Sequence, residues 1–378
     1  MKFVHLSDLH LGKRVSEIPM LEDQRHILLR ILQVIGQEKP DAVFIAGDVY
    51  DKPIPSAEAV TVFDDFLVRL AGMKTQVFVI SGNHDSAERI AFGSRLMDAS
   101  GIHMAPVYSG ETAPFVMTDE YGEIRIHMLP FVKPADVRHA YPEEDTGSYT
   151  EAVRTAVSHM NTDPSVRNIL IAHQFVTGAT RSESEDISVG GMDNVDVSVF
   201  DAFDYAALGH IHGPQHIGRE TVRYCGTPLK YSFSEKDHRK SVTVVTMEEK
   251  GKTGIRTVPL EPLHDMREIR GTYNDLTLKE NYEGTAVDDY LHVVLTDEDD
   301  VPDALAKLRT VYPNIMKLDY DNTRTRNTNP GTVPEAMERK SEIELFEEFF
   351  EQQNGRPMSE EQRVFSGKLL EKIREEMQ

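Results

Sequence analysis

The sequence contains 378 residues, with 41 Lys and Arg against 63 Asp and Glu, which gives a formal net charge of −22 at pH 7. Hydrophobic residues make up 39% of the chain, which is enough for a folded core and excludes wholesale disorder. The length exceeds that of one ordinary domain of about 100–200 residues. The acidic balance predicts no general attraction for nucleic acid, so a phosphate-bearing substrate would need local cations from metals or from a partner's basic surface.

No feature of the sequence is typical of a secreted or membrane-spanning protein. Cys225 is the single cysteine, so no internal disulfide can form, and no apolar segment resembling a signal peptide precedes Asp8. The longest apolar runs, 42–46 and 77–80, are far shorter than the roughly 20 residues that a transmembrane helix needs. We therefore expect a reducing compartment, the cytoplasm, and no contact with a membrane.

In chain order, five apolar segments are predicted strands, and each ends in a polar motif. The pairs are 2–6 before Ser7-Asp8, 42–46 before Gly47-Asp48, 77–81 before Gly82-Asn83-His84-Asp85, 168–172 before His173, and 205–208 before Gly209-His210-Ile211-His212. Between them, apolar residues at helical spacing predict one helix around 21–35 and another that begins after Ser56 as N-cap. The alternation of strands and helices predicts an α/β fold, with helices packed on the faces of the sheet.

The organisation changes after a further predicted strand at 241–246. Glycines and prolines up to Pro262 indicate a boundary, which gives a first domain at 1–262. Residues 263–322 predict a small α+β domain with strands at 290–295 and 315–318 and a helix at 303–311, and 323–334 predict a linker. Two helices are predicted within 335–378, one over 335–353 and one with Ser359 and Gln362 in capping-box spacing. This pair either packs on its own body or keeps its apolar stripe for another protein.

Acidic, amide and imidazole side chains follow these strands, and the carboxyl ends of neighbouring strands meet at one edge of a sheet. Folding is therefore expected to gather seven ligands: Asp8, His10, Asp48, Asn83, His173, His210 and His212. Seven ligands exceed the needs of one ion, whereas two ions about 3.5–4 Å apart can share a carboxylate. Asp48 is the natural bridge, because a carboxylate offers two oxygens and an imidazole only one free nitrogen. Gly47, Gly82 and Gly209 precede ligands where the backbone must turn closely.

These motifs resemble those of the calcineurin-like metallophosphoesterases, which read D-x-H, G-D, G-N-H-D or G-N-H-E, a single H, and G-H-x-H, and which occur here in that order. More narrowly, residues 5–12, 47–51 and 226–235 resemble the SbcD nuclease branch. The resemblance implies a β-sandwich flanked by helices, in which residues 263–322 form a capping domain and the C-terminal helical pair binds a partner.

The resemblance also implies roles for the site residues. One ion would be held by Asp8, His10, Asp48 and His212, and the other by Asp48, Asn83, His173 and His210. His84 would stay unliganded and stabilise charge or protonate the leaving oxygen, with Asp85 orienting it. The implied cofactors are two Mn²⁺ ions per chain, although the ligand types also suit Mg²⁺, Fe²⁺ or Zn²⁺. Archaeal members often carry His three residues after the bridging Asp, where this chain has Asp51.

The function implied is that of a metal-dependent DNA nuclease subunit, with double-strand exonuclease and single-strand or hairpin endonuclease activity, in DNA repair, recombination and replication. Its implied partner is an SbcC-type ABC ATPase, in a heterotetramer built on a homodimer of this subunit, in the cytoplasm and associated with the nucleoid. Among the basic residues, Arg89 and Lys230 are the candidates for contact with the DNA backbone.

Two other functions are compatible with parts of this pattern. A metallophosphoesterase of the same superfamily acting on phosphoproteins or cyclic nucleotides would use the same ligands with a different pocket. The tail disfavours it, because a small-substrate esterase has little use for a tethered pair of aromatic helices. A scaffold without activity is disfavoured because every ligand type is present, as is His84.

Overall fold

The computed structural model describes residues 1–110, 112–185, 193–328 and 357–376, together with the single positions 343, 346, 347 and 350. The chain divides into two compact units. The larger unit contains Met1–Thr296 and Val301–Asp319, and the smaller unit contains Asp297–Asp300 and Tyr320–Gln378. All seven predicted ligands lie in the larger unit.

The described strands lie in the larger unit, except for Tyr320 at the end of the last strand. They are β1 (Lys2–Leu6), β2 (Arg14–Val15), β3 (Ile18–Pro19), β4 (Ala42–Ala46), β5 (Gln76–Ile80), β6 (Ile102–Met104), β7 (Phe115–Asp119), β8 (Gly122–Leu129), β9 (Arg167–His173), β10 (Tyr205–Gly209), β11 (Gln215–Ile217), β12 (Arg219–Tyr224), β13 (Ser241–Met247), β14 (Thr253–Pro259), β15 (Met266–Gly271), β16 (Tyr290–Leu295) and β17 (Ile315–Tyr320).

The helices are α1 (Leu21–Glu38), α2 (Ala57–Gly72), α3 (Ala87–Ile90), α4 (Ser94–Met97), α5 (Pro134–Ala140), α6 (Tyr149–Ser158), α7 (Tyr273–Thr277), α8 (Lys279–Tyr282), α9 (Ala304–Leu308), α10 (Thr323–Thr328) and α11 (Glu360–Glu376). Short 3₁₀ helices lie at Asp98–Ser100, Val197–Phe200 and Phe233–Glu235. The predicted N-cap of α2 is confirmed, since the Ser56 side chain accepts a hydrogen bond from the Ala59 N–H at 3.2 Å.

Two six-stranded mixed sheets form the body of the larger unit. The first has the order β14-β13-β1-β4-β5-β6. Strands β1, β4, β5 and β6 are parallel to one another, β13 is antiparallel to β1, and β14 is antiparallel to β13. The second has the order β11-β12-β10-β9-β8-β7, with β12, β10, β9 and β8 parallel and an antiparallel strand at each edge. Helices α1 and α2 connect β1, β4 and β5, as parallel neighbours require.

Alternation along the strands explains why the two sheets form a sandwich. Phe3, Phe44 and Phe78 lie on one face of the first sheet and pack with Ile126 and Ile171 of the second in a fully buried cluster. The intervening residues of the first sheet face the other way and pack against α1 and α2. The central strand β4 is apolar throughout because both of its faces are covered, and the predicted α/β sandwich flanked by helices is confirmed.

A third sheet contains three strands in the order β15-β16-β17, with β15 parallel to β16. The strands predicted at 290–295 and 315–318 are found as β16 and β17. The helix predicted at 303–311 is shorter in the structure, where regular helix covers Ala304–Leu308 and turns follow before Pro313. A proline disfavours helical conformation in the residue that precedes it. Strand β15 was not predicted, since arginine and glutamate occupy half of its positions.

The segment predicted as a linker at 323–334 differs in its first part. Residues Thr323–Thr328 form helix α10, whose Thr325 N–H donates to the Asn322 side chain at 3.0 Å. Asparagine is a favoured N-cap, and this bond explains why a polar segment without apolar periodicity is helical. Residues 329–334, and most of the helix predicted at 335–353, lie outside the described residues.

The second C-terminal helix begins where the sequence predicts. Ser359 Oγ accepts from the Gln362 N–H at 3.3 Å, and Gln362 Oε1 accepts from the Ser359 N–H at 2.9 Å, so the predicted capping box of α11 is confirmed. In the part of the chain that the structure describes, no helix combines the length and the apolar character needed to cross a membrane.

Candidate metal centre

The seven predicted ligands lie together where the two sheets of the sandwich end. The loops after β1, β4 and β5 carry Asp8, His10, Asp48 and Asn83, and the ends of β9 and β10 carry His173, His210 and His212. All but Asn83 are at least 92% buried. The parallel direction of these strands explains the convergence, because successive crossovers return the chain to the same edge.

One group of donor atoms joins the first and last motifs. A nitrogen of His10, a nitrogen of His212 and an oxygen of Asp8 all lie within 4.8 Å of one another. The Nε2 atoms of His10 and His212 are only 3.1 Å apart. Two imidazole nitrogens that face each other so closely need a proton or a cation between them, because their lone pairs otherwise repel.

A second group surrounds the amide of Asn83. Asn83 Oδ1 lies 2.9 Å from His173 Nε2 and 2.9 Å from His210 Nδ1. The other ring nitrogen of His173 donates to the Ala46 carbonyl at 2.8 Å, so Nε2 is the nitrogen that faces the cluster. An amide oxygen and two ring nitrogens thus point to one place.

Asp48 lies between the two groups. Its Oδ2 is 3.3 Å from His173 Nε2 on one side and 3.7 Å from His10 Nε2 on the other. Its Oδ1 accepts a hydrogen bond from the His84 N–H at 2.9 Å. The carboxylate of Asp48 therefore lies within reach of both groups of donor atoms.

The electrostatics of the cluster suit a cation. Burial raises the pKa of Asp8 to about 6, lowers that of His210 to about 3, and holds that of His10 well below its usual range. Burial also disfavours the charged forms of Asp48 and His173, but their mutual attraction lowers the pKa of Asp48 and raises that of His173 to about 9. Neutral imidazoles keep their lone pairs for a metal, and the carboxylates attract positive charge.

The donor set fits divalent ions in number and in type. The cluster supplies carboxylate oxygens, one amide oxygen and imidazole nitrogens, which Mn, Fe and Zn accept. Among the described residues, His210 Nε2 is buried without a hydrogen-bond partner. Cys225 supplies no thiolate, because it is buried beside Ser7 Oγ at 3.0 Å and burial raises the pKa of its thiol.

Four of the predicted ligands have left-handed backbone conformations. The φ angles are 53° at Asp8, 44° at His10, 49° at Asp48 and 103° at His210. Such conformations cost of order 1–3 kcal/mol each for residues with a side chain and cluster at functional sites. The strain is compatible with the fold because hydrogen bonds hold these loops, as where the Asp8 N–H donates to the Gly47 carbonyl at 3.0 Å.

Gly209 allows the two sheets to meet at the site. A Cβ at this position would overlap the Ala46 carbonyl oxygen and approach His173 Nδ1 to 2.7 Å. We expect Gly209→Ala to lower the free energy of unfolding by about 1–3 kcal/mol, as overpacking does, and to weaken metal binding, both measured on the purified chain. Gly36→Ala in α1 is the control, since nothing lies within 4 Å of its Cβ position. Equal stability of Gly209→Ala and the unaltered chain would contradict the prediction.

His84 lies at the edge of the cluster and is partly open to solvent. Its side chain is 20% exposed, and Nε2 is 4.0 Å from Asp48 Oδ2. Its Nδ1 lies 3.2 Å from the Asp51 carbonyl oxygen, to which an Nδ1–H can donate. This arrangement leaves Nε2 as the nitrogen that faces the cluster.

Asp85 binds the backbone of the loops that carry the predicted site residues. Its carboxylate accepts hydrogen bonds from the Gly82 N–H at 2.9 Å, the Val49 N–H at 3.1 Å and the Tyr50 N–H at 2.9 Å. These three bonds join the loops after β4 and β5, so Asp85 positions the segment that carries His84 and Asn83. Its expected role in orienting the imidazole ring stays a prediction.

Lys230, one of the two candidates for contact with DNA, is engaged within the chain. Its Nζ lies 2.8 Å from Asp265 Oδ1 and donates to the Lys236 carbonyl at 2.6 Å, and the side chain is only 11% exposed. The ammonium is therefore used within the chain. Arg89 is exposed on α3, directly after the loop of Asn83 and His84, and stays a prediction.

Residues that hold the ligand loops were not singled out by the sequence analysis. Glu185 Oε1 accepts from the His212 N–H at 2.6 Å, and Gln24 Nε2 donates to the His10 carbonyl at 2.7 Å. Both side chains are at least 94% buried. A polar residue on the buried face of α1 is the one signal that marks Gln24 in the sequence.

Residues 1–214, which contain all seven predicted ligands, match the family model described as calcineurin-like phosphoesterase. Residues 262–354 match the model described as type 5 capsule protein repressor C-terminal domain. The chain is 33% identical to the SbcD component of the nuclease SbcCD of Staphylococcus epidermidis over 322 residues, which cover 84% of this chain and 85% of the relative. A solved dimetal phosphatase from Danio rerio is 11% identical with a TM-score of 0.43, and the match covers 70% of this chain and 98% of that one.

Proposed function

Because the chain belongs to the SbcD family of the calcineurin-like phosphoesterases, we propose that it is the metal-dependent nuclease subunit of an SbcCD-type complex. The observation that carries the proposal is the buried cluster of two carboxylates, one amide and four imidazoles at one end of the sandwich. The proposed reaction is hydrolysis of phosphodiester bonds in DNA, on duplex ends and on single strands or hairpins.

The residues proposed to hold the metals follow the two groups of donor atoms. The first ion would be held by Asp8, His10, Asp48 and His212, and the second by Asp48, Asn83, His173 and His210. We propose Mn²⁺ for both positions, and the ligands also suit Mg²⁺, Fe²⁺ or Zn²⁺. Bound divalent ions supply Lewis-acid stabilisation of phosphate charge and a more acidic water.

The chain's own contribution to the chemistry is the proton-donating group. When His84 Nδ1–H donates to the Asp51 carbonyl, Nε2 is the nitrogen that can carry a proton to the leaving oxygen. The hydrogen bond from the His84 N–H to Asp48 holds this residue beside the phosphate position. Asp85 keeps the loop in place through its three backbone bonds.

The experiment that tests the function compares substrates of three classes. The purified chain is incubated with Mn²⁺ and linear duplex DNA, a hairpin, a phosphopeptide or a cyclic nucleotide. Loss of the DNA substrates with little turnover of the others is expected. Turnover of the phosphopeptide or cyclic nucleotide without loss of DNA would contradict the proposal and favour an esterase for those substrates.

We also propose a partner and an oligomeric state. Helix α11 exposes Phe365 and Leu369, which are 69% and 49% exposed and four residues apart, and this apolar stripe supports binding of the tail to an SbcC-type ABC ATPase. Phe92 and Leu96, both 83% exposed, support a homodimer within a heterotetramer. In this assembly the complex would act in DNA repair, recombination and replication at the cytoplasmic nucleoid, with residues 263–322 capping the site.

Deletion of all residues after Pro334 tests the proposed role of the tail. We expect the truncated chain to hydrolyse short single strands at the normal rate, because the metal cluster lies in the other compact unit. It should no longer co-purify with the ATPase, since the apolar stripe of α11 is lost. The replacement of Phe365 by Asp in the full chain is the matched variant and should have the same effect. Co-purification that persists in both variants would contradict the assignment of the tail.

A further inference from the structure

The ring of His212 is linked through a hydroxyl group to a buried carboxylate. Ser184 Oγ lies 2.6 Å from His212 Nδ1 and 2.5 Å from Glu235 Oε1. A carboxylate can only accept hydrogen bonds, so the hydroxyl donates to Glu235 and accepts from a proton on His212 Nδ1. The contact thereby selects one tautomer, with the lone pair on Nε2.

That tautomer directs the free nitrogen of His212 into the metal cluster. Nε2 is the atom that lies 3.1 Å from His10 Nε2. Histidines that bind metals usually donate their other N–H to a carboxylate or a carbonyl, which fixes the ring and makes it a better ligand. Here Ser184 stands between the ring and the carboxylate, and Glu235 Oε1 itself is 3.6 Å from Nδ1.

The carboxylate at the end of this chain of contacts is held by a buried lysine. Lys240 Nζ lies 2.5 Å from Glu235 Oε2, 2.7 Å from Thr227 Oγ1 and 2.9 Å from the His212 carbonyl oxygen. Glu235 is fully buried and Lys240 is 7% exposed. The three ammonium protons thus have three acceptors, and a charge pair that would be costly to bury alone is satisfied.

The loop of residues 182–185, which contains Ser184, also holds the backbone of His212. Glu185 follows Ser184 and accepts the His212 N–H at 2.6 Å. The Ser182 N–H in turn donates to Glu185 at 3.1 Å, which closes the loop on itself. Residues 182–185 therefore fix both the ring and the main chain of His212.

We propose that Ser184 and Glu235, with Lys240 as counter-charge, are positioning residues that hold His212 Nε2 ready for a divalent cation. The inference rests on the proposed function only in taking His212 as a metal ligand. The inference gives a structural role to the segment 226–235, which was so far marked only by its resemblance to the family. Glu235 is the last residue of that segment, and it contacts His212 through Ser184.

Removal of the hydroxyl tests the inference. Titration of the full chain with Mn²⁺ by calorimetry is expected to show about 10–100-fold weaker binding of one ion in Ser184→Ala, the usual loss when an outer partner of a ligand is removed. Thermal unfolding without added metal is measured on the same variant, because a purely structural hydroxyl would lower the stability and leave the affinity for Mn²⁺ unchanged. Ser165→Ala, at an exposed serine bonded to Asp163, is the control and should match the unaltered chain in both measurements.

A second pair of variants keeps the side-chain volume constant. Ser184→Thr retains the hydroxyl and Ser184→Val lacks it, so only the valine variant should bind Mn²⁺ weakly. Equal affinities within this pair, or between Ser184→Ala and the unaltered chain, would overturn the inference while leaving the proposed function intact. Failure of the unaltered chain to bind Mn²⁺ would overturn both.

Discussion

Replacement of His84 by glutamine is expected to lower the rate of DNA hydrolysis by about 10²–10⁴, the usual scale for a general acid, while metal content stays near normal. Glutamine has a similar size and can still accept or donate hydrogen bonds, but it cannot transfer a proton. The ring lies at the edge of the cluster, with Nε2 4.0 Å from Asp48 Oδ2. The measurement is single-turnover cleavage of linear duplex DNA with saturating Mn²⁺, together with metal analysis of the same preparation.

A substrate with a better leaving group separates proton donation from stabilisation of charge. A nitrophenyl phosphodiester releases an anion that needs no proton, so the His84→Gln variant should lose much less activity on this substrate than on DNA. Equal losses on both substrates would assign His84 to charge stabilisation, and no loss on DNA would remove it from the mechanism. His139→Gln, at an exposed position on α5, is the matched control.

Replacement of Asp48 by asparagine is expected to weaken binding of both ions by more than about 100-fold. This exceeds the usual loss when a residue that only hydrogen-bonds to a metal ligand is removed. Turnover at moderate Mn²⁺ concentration should be abolished. Asparagine preserves the shape and one oxygen, so the bond from the His84 N–H can persist. The change removes the negative charge and one of the two oxygens that a bridging ligand uses. Calorimetric titration with Mn²⁺ measures the number of ions bound and their affinities.

The loss of both ions is the distinctive part of this expectation. Asp48 Oδ2 lies 3.3 Å from His173 and 3.7 Å from His10, which belong to different groups of donor atoms. A ligand of a single ion would leave the second site intact, so one normal site in Asp48→Asn would contradict the bridging role. Asp64→Asn, at an exposed carboxylate on α2, should leave both sites unchanged. Together with His84→Gln, this variant separates binding of the metals from the chemistry.

The electrostatics of the cluster bear on the proposal that so acidic a chain acts on a polyanion. The pKa of His173 is raised to about 9 because Asp48 attracts its proton, although burial opposes the charge. Positive charge is thus favoured at the cluster itself. A net charge of −22 leaves the rest of the surface unsuited to DNA, which agrees with a proposal in which metals and a partner supply the cations.

The strands show most clearly how much of the fold the sequence alone predicts. Residues 2–6, 42–46 and 290–295 are predicted to the residue, because these strands consist mainly of buried apolar residues. The hairpin of β7 and β8 was missed. Strand β8 begins Gly-Glu-Ile-Arg-Ile-His, and this alternation of polar and apolar residues is itself typical of a strand with one buried face, so the sequence did contain the signal.

The sequence by itself predicted which side chains meet at the site, because each predicted ligand lies at or shortly after the end of a strand and parallel strands bring such positions to one edge. Only the tertiary structure decided what the surrounding polar residues do. Lys230 pairs with Asp265, the Asp85 carboxylate binds three backbone amides, and Ser184 joins His212 to Glu235. The physical reason is that a hydrogen bond is satisfied over about 3 Å of space, and no local spacing records which residues 28 to 51 positions apart will meet at that distance.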